Sequence, residues 1–242
     1  MEGNPHFELF SDVGMGEVFM SRFVHFESHV LSALPKIKDR DAVRNALFRM
    51  IFDGFEPAFR SLRDLKKKID DQAVSKREKR LLIENVFSYL ALAVRDRFSV
   101  VADLMGYDIG FLFQKDTAFK KGRESFLLKY PKIDPAFLDV LEDDRCRWLS
   151  PLFDVRNEAI EHSGKIGPEE LKRLESYMDL PTAEVMFDNS WRRVEDFLGV
   201  FANDIFGEMG GLKLFEIKEY QENRNHPVRF GWFIPTDKLN NQ

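Results

Sequence analysis

Apolar residues recur every three or four positions along most of the chain, which is the period of one face of an α-helix. The clearest apolar stripes predict long helices over about residues 17–34, 41–68, 75–105, 133–160 and 183–208. Residues 107–131 are less regular and predict one short helix, and a second short helix is expected after Gly167. The pattern therefore predicts a mainly α protein, folded as a helical bundle.

Local signals mark several of the predicted helix ends. Ser75 and Glu78 have the spacing of a capping box, and Asp134 followed by Pro135 is typical of a helix start. Gly106 offers a left-handed residue at which a helix can stop. Pro57, inside the second stripe, predicts a kink or a break.

The period changes near the C-terminus. Val228, Phe230, Trp232 and Ile234 alternate with other residues, which indicates a strand, and residues 212–220 can form a second one. We therefore expect residues 1–211 to form a single helical-bundle domain and residues 212–242 to form a small C-terminal β-hairpin. An isolated hairpin is marginally stable in water, so this extension should pack on the bundle or on a partner.

Composition narrows the class of protein. The 242 residues contain no apolar run long enough to span a membrane and no visible signal peptide, so we expect a cytoplasmic protein. Cys146 is the only cysteine, which excludes a disulfide framework within one chain. The net charge of −5 argues against a surface coated uniformly for nucleic acid. Residues 60–80 carry nine Lys or Arg against four acidic residues, and a solvated helix end is favoured there over a basic groove.

Most catalytic templates are missing from the sequence. It contains no glycine-rich phosphate loop, no Gly-x-Ser-x-Gly elbow and no Glu-x-x-His of a di-iron bundle. His25 and His29 are four residues apart on one predicted helix face, but no third ligand is evident. An exposed pair of histidines is favoured over a metal site, and no cofactor is predicted.

One short motif stands apart from this background. Near the end of the helix predicted over residues 133–160, Arg156 is followed directly by Asn157, and His162 comes after a gap of five residues. An Arg, a polar neighbour and a His at this spacing, at the end of an amphipathic helix, resemble the signature of the HEPN superfamily, the higher eukaryotes and prokaryotes nucleotide-binding domains. The region of resemblance covers about residues 75–208.

The resemblance implies a HEPN-like bundle of mostly antiparallel helices, often a homodimer in which the motifs of two protomers meet in a cleft. Active members are metal-independent endoribonucleases of toxin, defence and RNA-processing systems. A protein partner such as an antitoxin or an activator would fit such a role. The family also contains inactive members that bind without cleaving.

The residues of the motif suit this chemistry. Cleaving RNA without a metal requires proton transfer at the 2′-hydroxyl and the leaving oxygen, and a cation for the charge that develops on phosphate. Arg156 is expected to bind phosphate, His162 to transfer protons and Asn157 to position a neighbour or the substrate. On an ideal helix Arg156 and His162 lie roughly 120° apart, so either the helix is distorted near Glu161 or the site is completed across a two-fold interface.

Two alternatives remain open at this point. Arg156 could simply pair with a nearby carboxylate such as Glu158 or Asp154, in a helical dimer that binds RNA, a nucleotide or a protein without chemistry. Charged residues of the third predicted helix are secondary candidates for the cleft, although a surface stripe is the favoured interpretation. These are Arg95, Asp96, Arg97 and Asp103.

Overall fold

The structure is a computed structural model of the chain. It describes residues 6–7, 18–32, 34, 37–161, 165–207, 215–217 and 230–233. The described residues are mainly helical, as the apolar period predicts. The α-helices are α1 (Val18–His25), α2 (Arg40–Met50), α3 (Glu56–Lys68), α4 (Lys76–Ala91), α5 (Phe98–Leu104), α6 (Asp116–Lys129), α7 (Pro135–Asp144), α8 (Ser150–Asp154), α9 (Pro168–Glu175) and α10 (Leu180–Gly207).

Wider π-helical turns join several of these α-helices end to end. They are π1 (Phe26–Leu31), π2 (Ile51–Phe55), π3 (Leu92–Arg97), π4 (Arg145–Leu149) and π5 (Val155–Glu161), and a 3₁₀ turn covers Gly110–Phe113. Pro57 and Pro151 each come shortly after such a turn, in the first turn of α3 and of α8. A proline lacks the amide proton and collides with the carbonyl four residues back, and a widened turn accommodates both defects. The predicted break at Pro57 is thus a π turn within a continuous helix.

Two π turns pack directly against each other in the middle of the bundle. A Cβ atom built on Gly54 of π2 would lie 2.5 Å from the Cβ of Ala93 in π3. Only glycine permits this approach, because any side chain would overlap Ala93. The long helices α2–π2–α3 and α4–π3–α5 therefore cross at their closest where both helices are widened.

The local signals for helix ends are found in the structure. Ser75 accepts a hydrogen bond from the amide of Glu78 at 3.1 Å, and Asp134 accepts one from Ala136 at 2.9 Å. Gly106 has φ of +96°, the left-handed conformation expected of a helix stop. Helix α10 begins at Leu180, before the apolar stripe that begins near Ala183. It begins there because Asp179 caps the helix and accepts a hydrogen bond from Thr182 N at 2.7 Å.

The segment over residues 107–131 is more regular than its sequence indicates. Helix α6 runs for 14 residues, but it buries only Phe119 and Phe126, so its apolar stripe is thin. Because Gly122 has no Cβ, α6 can pack closely despite this narrow apolar face. A Cβ there would lie 2.2 Å from that of Phe111, so glycine lets α6 lie against the 3₁₀ turn.

Buried side chains from α1 to α10 form one continuous apolar cluster. Much of the Phe content is in it: Phe19 packs edge-on to Phe187 with ring centroids 5.2 Å apart, and Tyr107 stacks on Phe201 at 3.9 Å. Arg22 and Glu195 form a buried ion pair that ties α1 to α10. None of the helices that the structure describes is long and apolar enough to cross a bilayer.

Three short strands pair in the order β1 (His6–Phe7), β3 (Phe230–Phe233), β2 (Phe215–Ile217), and both pairings are antiparallel. The pairing of β1 with β3 brings the two ends of the chain together, which the sequence does not indicate. Residues 218–229, which would connect β2 to β3, lie outside the described part of the chain. The C-terminal hairpin and its division from residues 1–211 stay predictions.

Candidate functional site

Arg156 and Asn157 lie in π5, the widened turn that ends the long helix α7–π4–α8–π5. Val155 and Ala159 of this turn are buried in the core, which fixes its orientation. Arg156 and Asn157 are consequently held at the edge of the core, where both side chains are half-buried. The sequence motif is therefore placed on an anchored segment that still reaches solvent.

The guanidinium of Arg156 has two partners. One nitrogen, Nη1, donates to Oδ1 of Asn157 at 2.8 Å, and Nη2 lies 2.8 Å from Oε1 of Glu161. The sequence suggested Glu158 or Asp154 as a carboxylate partner, and the structure has Glu161 instead. The reason is the helix type, since residues five apart are brought together by the i→i+5 turn of a π-helix.

The third motif residue, His162, lies outside the described residues. The helix is π-helical from Val155 to Glu161. A distorted helix near Glu161 is one of the two explanations that the sequence offers for the roughly 120° between Arg156 and His162 on an ideal α-helix. The ideal α-helical angle therefore does not apply to this segment.

Aromatic and charged groups surround the helical turn before Arg156. The guanidinium of Arg95, in π3, lies 5.5 Å from the centre of the Phe153 ring, and the Phe113 ring packs edge-on to Phe153 at 5.4 Å. Burial raises the pKa of Asp154, although Arg173 opposes this effect. Of the secondary candidates, Arg95 is thus next to the motif helix.

The other secondary candidates have local partners or face elsewhere. Asp96 lies 2.8 Å from Arg95 in an ion pair, and Arg97 lies 3.0 Å from Asp53. Asp103 is exposed on α5. These three residues behave as a charged surface stripe.

An open groove beside α6 was not predicted from the sequence. It has a volume of about 380 Å³ and lies between α6 and the 3₁₀ turn. Phe111 and Phe126 are buried behind it, while Gln114, Lys121 and Ser125 are exposed on its walls. The further lining residues are Asp108, Gly110, Ala118, Gly122, Lys129 and Tyr130.

The groove belongs to a basic segment. Residues 115–132 contain six Lys or Arg against two acidic residues, an excess of four in a chain whose net charge is −5. Within the described ranges, Lys115, Lys120 and Lys121 have no carboxylate within ion-pair distance. This local charge excess is the sequence signal that could have pointed to the groove.

In the basic segment that the sequence does single out, residues 60–80, four of the nine cations form ion pairs with carboxylates. They are Arg60, Lys66, Lys68 and Arg80, and Lys79 donates to two backbone carbonyls. The segment covers the end of α3, a turn and the start of α4. A solvated helix end is thus the interpretation that fits.

The possible metal site cannot be tested at its two histidines. The side chains of His25 and His29 lie outside the described residues. Among the residues that were searched, no group of three or more His, Cys, Asp or Glu side chains could hold a metal ion.

Comparison of the chain with protein-family models, with curated proteins and with solved structures finds no match. The resemblance to the HEPN superfamily therefore depends on the Arg156–His162 motif and its position at the end of a bundle helix.

Proposed function

We propose that this chain is a HEPN-like, metal-independent endoribonuclease. The observation that carries the proposal is the contact between Arg156 and Asn157 in π5, where the guanidinium is anchored by a buried helix and still reaches solvent. A planar guanidinium with exposed donors binds phosphate oxygens in a bidentate manner. Single π-helical turns also occur frequently at functional sites.

The proposed reaction is an internal transfer within the RNA strand. The 2′-oxygen attacks the neighbouring phosphorus, its proton passes to a base, and the bond from phosphorus to the 5′-oxygen breaks. The 5′-oxygen takes a proton and leaves as a hydroxyl, while the other fragment ends in a 2′,3′-cyclic phosphate. His162 is the proposed proton-transfer group, because imidazole titrates near neutral pH.

Arg156 is proposed to hold the phosphate while negative charge builds up on it. In the single chain the carboxylate of Glu161 lies against this guanidinium at 2.8 Å. A carboxylate and a phosphate present similar oxygens to arginine, so the RNA phosphate would displace Glu161. A second copy of the chain is the proposed source of the remaining groups in a homodimeric cleft.

The test is RNA cleavage by purified protein in the presence of a chelator. We expect single-stranded RNA to be cut to 2′,3′-cyclic phosphate and 5′-hydroxyl ends, identified by mass spectrometry. Because a general acid or base contributes about 10²–10⁴ in rate, His162→Ala and Arg156→Ala should each lower cleavage at least about a hundredfold. Arg147→Ala is the matched control, since Arg147 is an exposed arginine of the same long helix, paired with Asp143.

Two results would contradict the proposal. One is that diverse RNAs remain intact at high protein concentration. The other is that His162→Ala protein cuts RNA as fast as the unchanged protein, which would point to a contaminating nuclease.

A non-catalytic helical dimer that binds RNA, a nucleotide or a protein is the second candidate, and an exposed apolar patch favours it. Phe52 is 55% exposed, Val100 is 49% exposed and Leu104 is 38% exposed, and Phe48 packs beside Phe52. Patches of this kind often mark protein contacts. A shift of sedimentation equilibrium towards monomer in Phe52→Ser protein, combined with no cleavage of RNA, would favour this candidate.

A further inference from the structure

The groove beside α6 combines free positive charge with hydrogen-bonding side chains. Lys121, Ser125 and Lys129 follow one another at four-residue spacing, so they share one face of the helix. At a rise of about 1.5 Å per residue, Lys121 and Lys129 are roughly 12 Å apart along the axis. The wall opposite is formed by the 3₁₀ turn and by Gln114.

The charges of the groove are not cancelled by its own carboxylates. Lys121 has no ion-pair partner among the residues that the structure describes. The hydroxyl of Tyr130 beside Lys129 raises the pKa of that lysine, so its ammonium stays charged at neutral pH. Asp108, the acidic lining residue, interacts electrostatically with Lys129, so the two lysines and one carboxylate of the lining leave one net positive charge.

The groove is tied to the helix that carries Arg156. Arg145 of that helix donates to the carbonyl of Gln114 at 3.2 Å and lies 2.6 Å from Oδ1 of Asp116. Phe113 packs on Phe153, and Lys115 interacts electrostatically with Asp154. Gln114, on the groove wall, is therefore held against the helix that carries Arg156.

We infer that this groove is a binding site for the phosphodiester backbone of single-stranded RNA, next to the site at Arg156. The choice of RNA as the ligand rests on the proposed function, whereas the anionic character of the ligand rests on Lys121 and Lys129 in the groove lining. Lysines attract successive phosphates as point charges, while Gln114 and Ser125 can donate hydrogen bonds. A groove of this shape binds the strand without reading its sequence.

The test measures binding separately from cleavage. The full chain with His162→Ala serves as the background, so that a fluorescein-labelled oligouridylate stays intact during a fluorescence anisotropy titration. Lys121→Ala/Lys129→Ala removes the two lysines of the groove lining. Lys67→Ala/Lys76→Ala removes two exposed lysines from the α3–α4 end and is the matched control. Alanine is the best helix former, so both double variants should fold, which far-ultraviolet circular dichroism checks.

We expect the groove variant to bind at least about tenfold more weakly, and the control variant to change less than twofold. The salt dependence gives a second readout. Each lost phosphate contact lowers the slope of log K against log salt concentration by about 0.7 for a single strand, so the groove variant should lose about 1.4. The charge-conserving variant Lys121→Arg/Lys129→Arg should keep both values of the unchanged chain.

Three results would overturn the inference. Equal weakening by the two double variants would indicate a diffuse charge effect, and no weakening by the groove variant would exclude the groove. Binding of inorganic phosphate or 5′-AMP tighter than the oligonucleotide, and lost in the groove variant, would assign the groove to a free small anion.

The outcome can be separated from that of the proposed function. If the unchanged chain cuts RNA while the groove variant binds normally, the groove inference fails and the endoribonuclease stands. If RNA is never cut but the groove variant loses binding, the endoribonuclease fails and the groove stands as an RNA-binding surface.

Discussion

Two segments of the chain carry a similar local excess of positive charge, and the fold treats them differently. Residues 60–80 have an excess of five, and residues 115–132 have an excess of four. In the first segment, four carboxylates from outside it pair with three of the nine cations. These carboxylates are Glu56, Glu84, Glu175 and Glu184.

In the second segment, two carboxylates share one cation, and an acidic residue of the segment pairs with a cation outside it. Asp139 and Glu142 both lie against a single cation, Arg123. Asp116, one of the two acidic residues of the segment, is taken by Arg145 from outside it. Among the described residues, Lys115, Lys120 and Lys121 are left without an ion pair, and Lys121 lines the groove.

A count of charges along the chain therefore does not measure the charge that is available to a ligand. Exposed ion pairs add little to stability, typically 0–1 kcal/mol, but they remove a cation from the set that can contact phosphate. The relevant quantity is the number of unpaired cations on one concave surface.

Charge reversal should give the largest difference in RNA cleavage between the two segments. Lys121→Glu/Lys129→Glu replaces two attractive contacts with repulsion, and at about 1.4 kcal/mol per tenfold change we expect kcat/KM for RNA cleavage to fall about a hundredfold. Lys67→Glu/Lys76→Glu should change it less than threefold. Similar losses in both variants, measured by initial rates at physiological salt, would show that the two segments are equivalent.

Gly122→Ala tests how the groove is built. The new Cβ would overlap Phe111, so we expect the free energy of unfolding to fall by about 1–3 kcal/mol, the usual cost of overpacking. Ser125→Ala, one turn later on the same face, should stay within about 0.5 kcal/mol of the unchanged chain. Helix propensity alone predicts the opposite sign for Gly122→Ala, so a rise in stability in urea denaturation would refute the close approach.

Glu161→Gln removes the carboxylate that pairs with Arg156, the proposed phosphate-binding cation. Freeing Arg156 should lower the Kd for RNA about two- to fivefold, because a partly exposed ion pair is worth up to about 1 kcal/mol. Glu158→Gln removes the same charge three residues earlier. An equal effect of both substitutions on anisotropy-measured Kd would mean that only net charge matters.

Glu175→Gln/Glu184→Gln should make the first segment resemble the second. The double substitution frees Arg80 and Lys66 from two of their carboxylate partners. We expect RNA affinity to rise about twofold at low salt and to be unchanged at high salt, where exposed charges are screened. A rise that survives high salt would contradict this explanation.

The smallest effect concerns two lysines with raised pKa values. The pKa of Lys68 is raised by its bond to Glu78, and that of Lys129 by the Tyr130 hydroxyl. A group whose folded pKa is raised stabilises the fold below its unfolded pKa, and this contribution is lost as pH rises through the folded value. Both contributions are therefore complete at neutral pH and lost in the alkaline range above about 10.4.

Nuclear magnetic resonance titration of the lysine Nζ checks this prediction. Glu78→Gln should lower the pKa of Lys68 and leave that of Lys129 unchanged. Tyr130→Phe should lower the pKa of Lys129 and leave that of Lys68 unchanged. A change in the distant lysine in either variant would contradict the local causes.

Helix positions and several helix ends follow from the sequence because their signals are local. Ser75, Asp134 and Gly106 each act through their own backbone or a residue nearby. The π turns do not follow from it, because apolar residues at four-residue spacing suit an α-turn and a π turn alike. Helix α6 was underestimated because its packing depends on Gly122 meeting Phe111, which is a tertiary contact.

The candidate site divides in the same way. The motif identifies Arg156 and Asn157, which do contact each other. The ion pair with Glu161 depends on a π turn and could not be foreseen from an α-helical wheel. The groove depends on which lysines the fold leaves unpaired, so its residues are visible in the sequence while its availability to a ligand is not.

The π turns also have a consequence for the length of the chain. Such a turn holds one residue more between its hydrogen-bonded groups than an α-turn does. Removing one residue from Ile51–Phe55 can therefore convert this turn to an α-turn, whereas the same deletion within α3 would rotate all later residues by about 100°. At these positions the helices can gain or lose a residue while the apolar face of the next segment keeps its direction towards the core.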